Sequence, residues 1–193
     1  MKYTKKPCRV VTLDEVKWRW VAAVIPYYYG KNRTGSQIHY TDGNYELVYT
    51  RCERVLERWM EYHHTSLAAV QKLAKELAKD DAKRRLVLVV HENLCLLPLK
   101  CREETGRNTG TLGYVSMHAI AYAVEVEPYG TMLFFHERHK GLLIPQRKET
   151  VELQMSRGAN SLARYVEKNQ KQKEQEEQLQ AWKRSIRRKK TES

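Results

Sequence analysis

The residues best placed to do chemistry in this chain are its basic side chains and the amides and hydroxyls beside them. Arg102, Arg107 and Asn108 fall in a segment rich in glycine and threonine, 100–110. There a guanidinium and backbone amides can approach phosphates or enter a narrow minor groove. Arg138, His139 and Lys140 occupy the tip of an expected hairpin and Arg147-Lys148 the next turn, so both would project positive charge from one sheet. Arg157, Asn160 and Arg164 follow the expected last strand, where the start of a helix offers side chains and free amides to a phosphate. Arg187, Arg188, Lys189 and Lys190 accompany a stripe of Leu179, Trp182 and Ile186, a short basic amphipathic helix whose alternative is a solvated, frayed tail.

Other chemistries find little support. The chain holds no Walker loop, no Gly-x-Ser-x-Gly elbow and no His-Glu-x-x-His, and no enzyme or cofactor is expected. His63 and His64 are adjacent, so on a helix they point in different directions, as residues of a helix junction would. Cys8, Cys52, Cys95 and Cys101 are too scattered for a disulfide framework and are expected as reduced thiols. Cys95 and Cys101 with His136 and His139 lack the short spacing that presents two thiolates to one zinc, and no metal site is expected.

Charge gives these side chains their context. Among 193 residues, 35 lysines and arginines face 23 acidic residues, leaving +12, and the chain should be drawn to a polyanion. Hydrophobic residues make up 41%, and mean hydropathy is −0.71, which argues against both a membrane protein and wholesale disorder. The longest apolar stretches fall short of the roughly 20 residues a bilayer span needs. Lys5, Lys6 and Arg9 are followed by Asp14 and Glu15, not by an apolar core. A cytoplasmic, nucleoid-associated protein is expected, with no membrane partner.

The elements that must position these residues read as an α+β fold with an antiparallel, β-rich core, a sandwich or rolled sheet. Alternation over 15–29 suggests a strand that Pro26 and Gly30 should end, and Thr41-Asp-Gly-Asn44 a hairpin turn into Tyr45 to Tyr49. Val55, Leu56 and Trp59 mark one helix, and Leu67, Val70, Leu73, Ala74 and Leu77 a second that Ser66 can cap. Strands are expected at 86–90, 94–99, 111–117, 119–126, 131–135, 142–144 and 150–155. A short helix carrying Leu162, Tyr165 and Val166 should then close the core. One domain, 1–167, would be followed by a polar and basic tail, 168–193, partly helical or disordered.

From about Ala23 to Tyr165 the chain resembles the bacterial competence transcription factor (ComK) family. The segments that carry the likeness are Ala23-Val-Ile-Pro-Tyr-Tyr-Tyr29, Val55 to Ser66, Leu94-Cys-Leu-Leu-Pro-Leu99, Leu112-Gly-Tyr-Val-Ser116, Thr131-Met-Leu-Phe-Phe135, Val151-Glu-Leu-Gln-Met-Ser156 and Ser161-Leu-Ala-Arg164. Their order and spacing matter more than any single match. The resemblance implies a multimeric activator of transcription that recognises AT-rich boxes, largely through the minor groove, and is regulated by an adaptor–protease system.

The leading expectation is therefore a sequence-preferring regulator that binds double-stranded DNA as a homo-oligomer. The alternatives are an RNA-binding or ribosome-associated protein, and a protein-interaction module whose basic tail alone carries the charge.

Overall fold

The computed structural model describes residues 9–29, 34–78, 85–101, 112–136 and 141–191, with side chains as far as residue 184. It is an α+β fold built on antiparallel sheets. β1 (Val21–Tyr28), β2 (Thr34–Tyr40) and β3 (Tyr45–Val48) form an N-terminal meander. Helices α1 (Cys52–Tyr62) and α2 (Leu67–Ala78) follow. β4 (Leu88–His91), β5 (Leu94–Lys100) and β6 (Leu112–Ser116) then join the same sheet, in the order β3-β2-β1-β6-β5-β4. β7 (Ile120–Val126), β8 (Gly130–Phe135) and β9 (Gly141–Ile144) make a second, three-stranded sheet, and α3 (Lys148–Thr191) ends the chain.

Two apolar clusters, one on each face of the large sheet, hold the layers together. On one face Val55, Leu56, Trp59 and Met60 of α1 and Leu67, Val70 and Ala74 of α2 pack on Val24, Ile38, Leu88, Leu94 and Leu96. On the other, Ala23, Ile25, Val89, Leu97, Leu99 and Val115 meet Leu133, Phe135, Leu142 and Ile144 of the second sheet and Val151 of α3. β5 is covered on both sides, which explains why Leu94 to Leu99 are all buried and show no alternation. Ser66 caps α2 as its position suggests, its Oγ accepting from the Ala69 amide at 3.2 Å.

Three expectations need correction. Residues 13–15 and 18–20 are short 3-10 turns, and the first strand begins only at Val21. Pro26 does not end it. β6 pairs with β1 only at Ala23 and Val24, so beyond Val24 one side of β1 carries no ladder bonds for a proline to break. The largest difference is at the end of the chain, where 150–155 is helix and not strand. Val151, Met155, Gly158, Leu162 and Tyr165 recur at helical spacing, and four of them have side chains packed in the second cluster. Leu153, which completed the apparent alternation, is 50% exposed. The short closing helix and the tail are thus one helix of 44 residues.

At Gly158 α3 packs closely on the large sheet. A β-carbon there would lie 2.7 Å from Leu97 Cδ2 and 2.8 Å from Met117 Sδ. Beyond Asn169 the burial stops, and every side chain from Gln170 to Arg184 is exposed. The boundary expected at 167/168 therefore falls inside α3, where the helix leaves the packed layers.

Candidate nucleic-acid interface

The basic residues of α3 lie on its middle turns. Arg157, Asn160, Ser161 and Arg164 share a face by their spacing of three and four. Together with Ala78 at the end of α2 and Arg85, Leu86 and Val87 leading into β4, they line a groove of about 90 Å³. Arg164 Nη1 donates to the Leu77 carbonyl oxygen at 2.6 Å, which satisfies one of the last carbonyls of α2 and ties the two helices together. The neighbouring turn is pinned by Lys168 Nζ, 2.7 Å from Glu76 Oε2.

This arrangement corrects the expected source of anion affinity. Since α3 starts at Lys148, the amides near Arg157 are committed to the helix and offer nothing to a phosphate. What remains is side-chain chemistry: guanidinium groups from two directions, an amide and a hydroxyl, with no carboxylate in the lining. Among the described residues, neither Arg85 nor Arg157 is ion-paired with a carboxylate. The groove has room for one phosphate-sized anion. Arg85 is a member that sequence reasoning missed, because only the fold brings it beside a helix more than seventy positions away.

Arg147 and Lys148 also lie elsewhere than expected. They do not tip a hairpin; they begin α3, and the Arg147 carbonyl accepts from the amides of Thr150 and Val151. Arg147 lines an open depression with Glu125, Glu127 and Glu149, and Lys148 Nζ sits 3.5 Å from Glu152 Oε1. Carboxylates outnumber bases at this end of the molecule, so it does not project positive charge. Arg102, Arg107, Asn108, Arg138, His139 and Lys140 lie outside the described residues. Arg187, Arg188, Lys189 and Lys190 are placed on the last turns of α3, away from the groove.

The remaining titratable residues form smaller constellations. His91 Nε2 and His63 Nδ1 stand 3.2 Å apart, bridging the α1–α2 junction and the end of β4. Burial and the charge on His91 hold both His63 and His118 below the ordinary imidazole range. Burial pushes the Cys95 and Cys101 thiols up to about 12, so both are poor nucleophiles at neutral pH. Among the described residues no three His, Cys, Asp or Glu side chains are grouped to hold a metal ion. Nor is any described helix long and apolar enough to cross a membrane.

No family model, curated protein or solved structure matches the chain.

Proposed function

We propose that this chain is a sequence-preferring, non-enzymatic DNA-binding regulator of transcription, and that the groove between α2, β4 and α3 holds a phosphate of the duplex. The observation that carries the reading is the convergence of Arg85, Arg157 and Arg164 with Asn160 and Ser161 around one small groove free of carboxylates. Guanidinium groups suit this role because their paired N–H donors match phosphate oxygens. The groove lies on packed elements, so the guanidinium of Arg164 is positioned before DNA arrives, and less entropy is lost on binding. The resemblance to competence regulators supports a duplex target rich in A·T pairs. The +12 balance supports a polyanionic partner of either kind, DNA or RNA.

The test is selection from a random duplex pool followed by sequencing, with the Arg85→Ala/Arg157→Ala double variant alongside. An AT-rich consensus that the wild type enriches and the variant does not is the expected result. Enrichment of nothing, or equal enrichment by both proteins, would remove the groove from the mechanism. Loss of the preference when a minor-groove ligand competes would place the reading in that groove.

A further inference from the structure

We propose that the outward face of the β7–β8–β9 sheet is a docking surface for the projecting half of α3 from a second copy of this chain. The inner face of this sheet is spent on the core through Leu133, Phe135, Leu142 and Ile144. Alternation then turns another apolar set outward. Tyr122 is 51% exposed, Val124 43% and Leu143 41%. Strand pairing arranges these residues in two rows across the sheet, Tyr122–Phe134–Gly141 and Val124–Met132–Leu143. The surface is ordered: Tyr122 stacks on Phe134 with ring centroids 4.7 Å apart, and Met132 lies over Gly141, where a β-carbon would come within 2.5 Å of its Cγ. Three strands about 4.8 Å apart give a strip roughly 10 Å wide, the diameter of one helix.

The same chain carries a helix suited to that strip. Leu179 is 49% exposed and Trp182 60%. In sequence Ile186 continues their spacing. From Gln178 to Lys190 there are six basic residues and no acidic one. The turn end of the β7–β8 hairpin offers the opposite sign, since Glu125, Glu127 and Glu149 gather there around Arg147. Apolar stripe meets apolar strip, and the basic flank meets the acidic end.

Geometry excludes the chain's own sheet as the site. Val151 is buried against the core, and Trp182 follows 31 residues later in an unbroken helix, about 46 Å away. No proline or glycine after Gly158 allows a reversal. A second copy has no such restriction, and a two-fold arrangement would make the contact twice, each tail on the other's sheet.

Sedimentation of the full chain without nucleic acid tests this. The wild type should be a dimer, and Leu179→Asp on the tail or Val124→Asp on the sheet should each weaken it tenfold or more. Mixing the two variants should restore a dimer, because one has an intact tail and the other an intact sheet. Should Val124→Asp perturb folding, as judged by circular dichroism, Glu125→Lys/Glu127→Lys supplies a second sheet variant. That variant should weaken the dimer and be rescued by Lys183→Glu/Arg184→Glu in the partner copy. A monomeric wild type overturns the proposal. So does a dimer sensitive to the tail and indifferent to both sheet variants, which would mean that the helices pair with each other.

Discussion

At the residue scale, the arginines of the groove divide by what else they do. Arg164 spends one donor on the Leu77 carbonyl, so Arg164→Ala should lower stability by about 1 kcal/mol as well as weaken binding. Among the described residues Arg157 makes no such bond, and Arg157→Ala should cost roughly 1–3 kcal/mol of DNA affinity while the urea midpoint stays where it was. Anisotropy titrations paired with urea melts separate the two effects. His39 has a different use. It stacks on Tyr45, its Nε2 is 3.3 Å from Gln37 Oε1, and burial pulls its pKa down to about 4. A group that resists protonation when folded and accepts it near 6.5 when unfolded favours the unfolded chain as pH falls. Stability should therefore decline between pH 6.5 and 4, by roughly 1–2 kcal/mol at pH 5. His39→Gln should flatten that part of the curve; an unchanged slope would show that other groups cause it.

Elements stand or fall on a few close approaches. Gly130 opens β8 at φ +121°, and a β-carbon there would overlap the Ile144 carbonyl oxygen and lie 2.9 Å from Pro145 Cα. Both obstacles are backbone and cannot swing aside. Gly130→Ala should cost about 3 kcal/mol or more, read as a lowered urea midpoint. The loss should extend beyond the hairpin, because Thr131 Oγ1 donates to the Gln146 carbonyl at the entry to α3. Elements with one dominant period were legible from the chain alone. α1 and α2 showed helical spacing, and β5 to β9 showed short runs between turn residues. The segment 150–155 was misleading because Val-Glu-Leu-Gln-Met satisfies a period of two and a period of four at once. Only the residues farther on, Gly158, Leu162 and Tyr165, decide between them. Arg85 was illegible for another reason: its role depends on which strand passes beside α3, and no local pattern encodes that.

For the whole molecule, the question is how charge is shared between the layers and the tail. Residues 168–193 hold nine basic and four acidic side chains, a balance of +5, so the body keeps +7 of the total +12. Each phosphate contact contributes about −0.9 to the log–log slope of affinity against salt. Truncation after Glu167 should make that slope shallower and weaken binding to every duplex, yet leave the preference among sequences intact. A truncated protein that binds but no longer discriminates would move the reading surface into the tail.

The single helix that ends the chain also has a mechanical consequence. Its root is clamped by Gly158 against Leu97 and by the Arg164 and Lys168 contacts to α2, and its side chains from Gln170 to Arg184 are exposed. From Gly158 to Thr191 it extends about 50 Å. It is therefore a lever arm with its fulcrum beside the arginine groove. A tilt of about 6° at that fulcrum sweeps the tip through about 5 Å, close to one helical turn.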